Sequence, residues 1–248
     1  MLELQDVSFS VPEGTGGAKE IIKNVSLKVD KGKLVVITGP NGGGKSTLAR
    51  LIMGIERPTS GRILFNGEDI TDCSITDRAK MGISFAFQQP VKFKGLKVID
   101  LLRVASGQRL SVGDACKYLS SVGLCARDYI ERELNASLSG GELKRIEIAE
   151  ILSRGTALSV FDEPEAGIDL WSFNNLIDVF ENMRKNILDG SIIIISHQER
   201  ILNVADEIVV INGGQVDRVG PKDRILPTLL GSSTVQSFCT GTAKKEGV

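Results

Sequence analysis

The chain has 248 residues, of which 42% are hydrophobic and 25% are charged, as is ordinary for a globular protein. Its 30 basic and 31 acidic residues give a net charge of -1, so no basic excess attracts it in bulk to nucleic acid or anionic lipid. The longest aliphatic run, about residues 192–195, is far shorter than the roughly 20 residues of a membrane-spanning helix, and residues 1–4 do not resemble a signal peptide. We expect no nucleic-acid partner and no direct membrane insertion.

The first part of the chain is predicted to be rich in strands. Strands are predicted over residues 2–9, 25–29 and 33–38, and the last of these is followed by a loop over 39–44 and a helix over 45–53. A further strand over residues 62–65 ends at Asn66-Gly67, which is a strong hairpin signal.

The loop over residues 39–44 and the start of the following helix fit the pattern G-x-x-x-x-G-K-[ST]. The matching residues, with the threonine after them, are Gly39, Pro40, Asn41, Gly42, Gly43, Gly44, Lys45, Ser46 and Thr47. Glycines let successive N–H groups converge on an anion, and the helix N-terminus adds about half a positive charge. Lys45 would contact the β- and γ-phosphates of ATP and the Ser46 hydroxyl would ligate Mg²⁺. The alternative, an ordinary glycine-rich turn, is disfavoured by the strand before it and the helix after it.

The middle of the chain changes character, because residues 91–154 carry helical patterns and few strand patterns. Strands return at residues 157–161 and 192–195, and continuous apolar strands of this kind predict a parallel sheet covered on both faces. Between them lie apolar residues that share one helix face: Phe173, Leu176, Ile177, Phe180 and Met183. A last hairpin is predicted over residues 207–219, and the chain becomes small and polar from residue 231.

The strand over residues 157–161 leads directly into two carboxylates, Asp162 and Glu163. Because the carboxyl ends of parallel strands face the ligand crevice, Asp162 is predicted to hold the magnesium shell and Glu163 to accept a proton from the attacking water. The alternative is a solvated strand end, which the phosphate loop upstream makes the weaker interpretation.

Five motifs in order resemble those of the ATP-binding-cassette family. Residues 138–142, Leu-Ser-Gly-Gly-Glu, resemble its signature motif, Gln88 its Q-loop glutamine, residues 166–169 its D-loop and His197 its switch histidine. The resemblance covers about residues 2–220. It implies an α/β fold with a P-loop NTPase (RecA-like) core, an antiparallel β subdomain and an inserted helical subdomain.

On this basis the chain divides into four segments. They are an N-terminal β subdomain with the first part of the ATP-binding core (1–90), the helical subdomain with the signature motif (91–154), the second part of the core (155–230) and a flexible tail (231–248).

The resemblance also implies the roles of the site residues. Glu163, His197 and Gln88 would be catalytic, and Ser46, Gln88 and Asp162 would bind Mg²⁺. ATP would hold two copies together as a head-to-tail homodimer, in which Ser139 and Gly141 of one copy close over the ATP held by the other. One residue departs from the family pattern: Val11 stands where an aromatic residue usually stacks on adenine.

Within the family, the chain is most similar to SufC, the ATPase of the SUF iron–sulfur cluster assembly system. The similarity lies in residues 86–90, 140–147 and 197–202 and in Val11, whereas Pro164 departs from many SufC chains. It implies a cytoplasmic complex with a SufB- or SufD-type scaffold, docked near Gln88 and the helical subdomain.

Cysteine and histidine usage agrees with a cluster held by the scaffold and not by this chain. None of the four cysteines forms a C-x-x-C pair, and His197 is the only histidine. Reduced thiols, as in the cytoplasm, are therefore expected.

Two alternatives stay open. A nucleotide-binding subunit of a membrane transporter, with a transmembrane subunit as partner, would share every ATPase motif and differ in the surface around residues 89–102. An ATP-gated clamp without turnover is the other, and it is disfavoured by Lys45, Asp162, Glu163 and His197.

Overall fold

The computed structural model describes residues 1–14, 16–107, 109–135, 137–186 and 190–238. Its strands are β1 (Leu2–Glu13), β2 (Gly17–Val29), β3 (Leu34–Thr38), β4 (Ser60–Phe65), β5 (Glu68–Asp69), β6 (Ile83–Ala86), β7 (Leu158–Asp162), β8 (Ser191–Ile195), β9 (Glu207–Asn212) and β10 (Gln215–Pro221). Its helices are α1 (Lys45–Met53), α2 (Ile75–Lys80), α3 (Val98–Ser106), α4 (Val112–Ser121), α5 (Ala126–Tyr129), α6 (Gly140–Arg154), α7 (Leu170–Asn186), α8 (Glu199–Val204) and α9 (Lys222–Phe238).

A four-stranded antiparallel sheet has the order β2-β1-β4-β5. The predicted hairpin at Asn66-Gly67 joins β4 to β5, and both residues have positive φ angles, of 54° and 87°. β1 and β2 are longer than predicted, because pairing continues from Val11 opposite Lys19 to Glu13 opposite Gly17. Much of this outer part of the hairpin is exposed and lacks the apolar alternation by which the sequence marks a strand.

A six-stranded sheet forms the centre of the chain, in the order β10-β9-β3-β8-β7-β6. All neighbours from β9 to β6 pair in parallel, and only β10 is antiparallel. Every residue of β3, β7 and β8 is buried, as expected for parallel strands covered on both faces. The predicted parallel sheet and the α/β fold class are confirmed.

The core lies on the two faces of this sheet. Side chains alternate along β3, so that Leu34 and Val36 pack with the helices α3, α4, α6 and α7, whereas Val35 and Ile37 pack with α1 and the antiparallel sheet. The predicted apolar face of α7 belongs to the first of these layers. Its Phe180 is fully buried, with its ring 5.1 Å from that of Phe161 in β7.

The chain between β6 and β7 contains the helices α3 to α6. At the other end, α9 extends to Phe238 and passes residue 231, where the sequence analysis placed the start of a flexible tail. A glycine such as Gly231 costs a helix only about 1 kcal/mol, and α9 is anchored upstream by the buried Ile225 and Leu226. Residues 239–248 lie outside the described residues. Within the described ranges, no helix combines the length and the hydrophobicity that a bilayer crossing requires.

Arg78 on α2 joins the end of α1 to the loop before α2. Its guanidinium is fully buried and donates to the main-chain oxygens of Leu51 and Ile52, both at 2.7 Å, at the end of α1. It also donates to Thr71 and Cys73 in the loop before α2. The Leu51 oxygen also accepts from the Gly54 N–H at 3.1 Å, so the guanidinium is a second donor there and supplies a side-chain donor to the Ile52 oxygen at the end of the helix.

We predict that Arg78→Met lowers the free energy of unfolding by about 3 kcal/mol, because buried carbonyl oxygens lose their donors. Chemical denaturation followed by circular dichroism measures the change. Lys80→Met, at an exposed position of the same helix, is the matched control and should stay within about 0.5 kcal/mol of the parent. Equal stability of the two variants would contradict the assignment.

Candidate functional site

The glycine-rich loop lies between the carboxyl end of β3 and the start of α1 at Lys45. Gly39 has a φ angle of 138°, and a Cβ atom there would stand 1.9 Å from the main-chain oxygen of Ile211. No other residue fits, because the loop packs directly on β9. Gly44 precedes α1 with a φ angle of 102°, which lets the chain turn so that the first N–H groups of α1 face the loop.

Lys45 is almost buried, with 6% of its surface exposed. Its ammonium group donates to the main-chain oxygens of Gly39 at 2.8 Å and Pro40 at 3.0 Å. Burial lowers the pKa of Lys45, and the nearby carboxylates of Glu163 and Asp162 oppose that change. The loop therefore positions a cation against its own backbone.

Asp162 ends β7 and is 4% exposed. The hydroxyl of Ser46, in the first turn of α1, donates to its Oδ1 at 3.1 Å. Burial raises the pKa of Asp162, and the hydrogen bond from Ser46 acts in the opposite direction. A hydroxyl and a carboxylate in contact form the all-oxygen donor set that Mg²⁺ prefers, so these two residues fit that ion.

Glu163 follows Asp162 in an unusual backbone conformation, with a φ angle of 45°. The left-handed region costs a non-glycine residue of order 1–3 kcal/mol, and such residues cluster at functional sites. Its N–H donates to the Ile195 oxygen at 3.0 Å, which fixes the turn against β8. Its carboxylate accepts a 2.6 Å hydrogen bond from the side-chain amide of Gln88, so Gln88 and Glu163 meet across the ends of neighbouring strands.

A cleft of about 500 Å³ brings Lys45, Ser46, Gln88 and Glu163 together, and Asp162 contacts it through its hydrogen bond with Ser46. Its lining residues come from the glycine-rich loop, α1, the segment after β6, the segment after β7 and β2, and they are Ile21, Asn41, Gly42, Gly43, Gly44, Lys45, Ser46, Thr47, Gln88 and Glu163. Ile21 was not expected from the sequence, because nothing in the strand pattern shows that β2 borders the loop. Val11, the position matched to the usual adenine-stacking residue, does not line this cleft.

His197 lies two residues beyond the end of β8, is exposed, and has its Nε2 3.4 Å from the side-chain nitrogen of Gln198. Glu165 does not line the cleft, but it makes a contact between the segments after β7 and β8 that was not expected from the sequence. Its carboxylate accepts a hydrogen bond from the Ser196 hydroxyl. Burial raises the pKa of Glu165, and Ser196 and the neighbouring His197 oppose that rise. The segments after β7 and β8 are thus joined by a buried carboxylate.

Ser139 is the N-cap of α6 and forms a capping box with Glu142. The Ser139 hydroxyl accepts from the Glu142 N–H at 3.2 Å, and the Glu142 carboxylate accepts from the Ser139 N–H at 2.6 Å. Gly141 lies against Gly167, since a Cβ there would be 3.1 Å from the Gly167 oxygen. Ser139 is exposed, and neither Ser139 nor Gly141 lines the cleft of the same chain.

Metal-binding clusters of His, Cys, Asp and Glu are absent from the described part of the chain when three or more such residues are required. The free thiols within that part are Cys73, Cys116 and Cys125. Cys239 lies outside it.

Comparison with known proteins places this site in a family context. The ABC transporter family model matches residues 22–166. An uncharacterized ABC transporter ATP-binding protein of Methanocaldococcus jannaschii is 39% identical over 216 residues, which cover 84% of this chain and 86% of that protein. The probable ATP-dependent transporter ycf16 of Pyropia yezoensis is 32% identical, over 89% of this chain and 91% of its own length.

Other relatives are longer. The sulfate/thiosulfate import ATP-binding protein CysA of Neisseria meningitidis serogroup A is 33% identical over 82% of this chain, and the match spans 58% of CysA. Among solved structures, a dimeric ATP-binding cassette in a post-hydrolysis state with ADP and Pi superposes with a TM-score of 0.80 at 22% identity, covering 90% of this chain and 99% of that one. This last likeness supports the fold. The chain therefore belongs to the ABC transporter ATPase family, and it is an ATP hydrolase that uses ATP with Mg²⁺.

Proposed function

We propose that two copies of this chain bind Mg²⁺-ATP between them and that its hydrolysis drives a conformational change in a partner protein. The observation that carries the proposal is the single cleft in which the glycine-rich loop, Lys45, Gln88 and Glu163 meet, with Asp162 bonded to Ser46 at its edge. A cation, backbone amides and oxygen ligands on one side face a carboxylate on the other, as phosphoryl transfer to water requires.

Each residue has a defined role in this proposal. Lys45 and the N–H groups of the loop hold the β- and γ-phosphates, while Ser46, Asp162 and Gln88 supply oxygen ligands for Mg²⁺. Bound Mg²⁺ neutralises phosphate charge. Glu163 accepts a proton from the attacking water, and its contact with Gln88 at 2.6 Å orients the carboxylate for that step. His197, after β8, approaches the γ-phosphate.

The second copy supplies the N-terminus of α6. The first N–H groups of a helix have no intrahelical partner, and the Ser139 hydroxyl satisfies that of Glu142. Those of Gly140 and Gly141 can donate to a phosphate, and the helix dipole favours the same anion. Because Ser139 is exposed and outside the cleft of its own chain, we propose that it meets the nucleotide of the neighbouring copy.

We place the partner in a groove of about 270 Å³ beside the Q-loop glutamine. Phe87, Val91 and Phe93 line it together and are 41–49% exposed, and a cluster of exposed apolar side chains is typical of an interaction site. The wall also carries Glu150, whose pKa burial raises to about 7. An apolar partner segment fits this surface.

For the partner itself we propose a SufB- or SufD-like scaffold of iron–sulfur cluster assembly. The support is the similarity of residues 86–90, 140–147 and 197–202 to SufC, and the match to ycf16 over nearly its full length agrees with a cassette of this size. A transmembrane transporter subunit is the second candidate. It is favoured by the names of the relatives, which are described as transporters or import proteins.

We predict that Glu163→Gln lowers the turnover number for ATP by at least about 100-fold and leaves ATP affinity within about 3-fold, because the amide cannot accept the proton. Phosphate release and equilibrium binding of a fluorescent ATP analogue measure the two quantities. Lys45→Ala is the contrasting variant, since it removes a phosphate contact and should weaken analogue binding itself. Hydrolysis at the parental rate by Glu163→Gln would exclude Glu163 as the base.

We predict that the tagged chain retains its partner in cell extracts and that Phe93→Asp loses it, because a carboxylate cannot be desolvated in the apolar groove. Val104→Asp is the matched control. Val104 on α3 is 75% exposed and lies outside the groove, so its variant should retain the partner. Affinity capture with mass spectrometry identifies the partner. A soluble scaffold is expected, whereas a polytopic membrane protein would replace the scaffold proposal with the transporter.

A further inference from the structure

We propose that Lys144 and Glu147 on α6 are positioning residues for hydrolysis, which hold the backbone of Phe87 and thereby set the place of Gln88 at Glu163. The inference rests on the proposed catalytic role of Gln88. It adds a physical link between the N-terminus of α6, which we propose to face the neighbouring copy, and the carboxylate of Glu163 in the same chain.

The link is made of two hydrogen bonds to the main chain of one residue, Phe87, and of an ion pair between the two side chains that form them. A carboxylate oxygen of Glu147 accepts from the Phe87 N–H at 2.9 Å, and the Lys144 ammonium donates to the Phe87 carbonyl oxygen. Lys144 Nζ also lies 3.2 Å from the other carboxylate oxygen of Glu147, as an i,i+3 ion pair within α6. One turn of α6 thus binds both main-chain polar groups of a single residue after β6.

Burial makes this connection specific. The Lys144 side chain is fully buried and that of Glu147 is 11% exposed. Burying an ion pair costs desolvation free energy, which an apolar pair of the same volume would not cost. Packing alone therefore does not explain why charged residues stand at these positions. What the charges add is direction, because a charged donor and a charged acceptor fix the Phe87 backbone in one orientation. Burial raises the pKa of Glu147, and Lys144 and the Phe87 N–H oppose the rise.

The next residue along the chain carries the effect to the site. Gln88 follows Phe87 directly and donates to Glu163 at 2.6 Å. The N-terminus of α6 is capped by Ser139, which we propose to meet the nucleotide of the neighbouring copy. A displacement of α6 toward that nucleotide must move the Phe87 backbone with it, and Gln88 moves as a consequence. Closure of the dimer and placement of Gln88 are then one motion.

The test is a double-mutant cycle on kcat at saturating Mg²⁺-ATP, with the variants Gln88→Ala, Glu147→Ala and the two combined. Glu147 is varied and not Lys144, because the charge of Lys144 also acts directly on Asp162. We expect Glu147→Ala to lower kcat about 10-fold, the scale seen for groups that orient a site residue, with KM changed less than about 3-fold. The combined variant should fall no more than about 2-fold below Gln88→Ala alone, because both changes remove the same function.

Asp114→Ala is the matched control, since it removes another i,i+3 carboxylate–lysine pair, with Lys117 on α4, far from Gln88 in sequence and absent from the cleft. It should leave kcat unchanged. If Glu147→Ala does not fold, Glu147→Met replaces it in the same cycle, because it keeps more of the buried side-chain volume and leaves Lys144 unchanged.

Two results would overturn the inference while leaving the proposed role of Gln88 intact. One is a parental kcat in Glu147→Ala when Gln88→Ala is impaired. The other is a combined variant whose loss equals the product of the single losses. A parental kcat in Gln88→Ala would overturn the role of Gln88 and the inference together.

Discussion

The order of the parallel strands is the constraint on which the site depends. β3, β8, β7 and β6 are consecutive neighbours, and their carboxyl ends lie along one edge of the sheet. Each of those ends leads into a loop or residue that the sequence analysis assigned to the site: the glycine-rich loop, His197, the pair Asp162–Glu163, and Gln88. The residues are far apart in the chain, yet adjacent strands only about 4.8 Å apart bring them within reach of one triphosphate.

The arrangement carries local costs that the surrounding core offsets. Glu163 has a left-handed backbone, Lys45 and Asp162 are charged groups with little solvent exposure, and Lys144 is fully buried. None of these features stabilises the fold by packing, and each is held by specific hydrogen bonds to neighbouring backbone or side chains. The strands β3, β7 and β8 are buried on both faces of the sheet, and their close packing keeps these groups in place.

Patterns that repeat every few residues were sufficient to predict the regular helices and strands of the fold. The helix beginning at Lys45, the buried strands, the apolar face of α7 and the Ser139 cap were predicted correctly. The outer half of the first hairpin and the helical residues after 231 were missed. Strands that pair at exposed positions, and the last turns of a helix, need no regular pattern of apolar residues that the sequence could show. The contact of Glu147 with Phe87 joins residues 60 apart, and no spacing rule predicts such a contact. The sequence indicated a partner surface around residues 89–102 but not the groove that Phe87, Val91 and Phe93 line there.

The most direct test of the central claim is whether two defective copies can repair each other. In a mixture of Lys45→Ala and Ser139→Arg chains, a mixed head-to-tail dimer has one site with both changes and one site with neither. The account predicts that ATP hydrolysis reappears on mixing, although each variant alone is inactive. Mixtures that stay inactive at every ratio would contradict it, because Ser139 would then act on the nucleotide of its own chain or not at all.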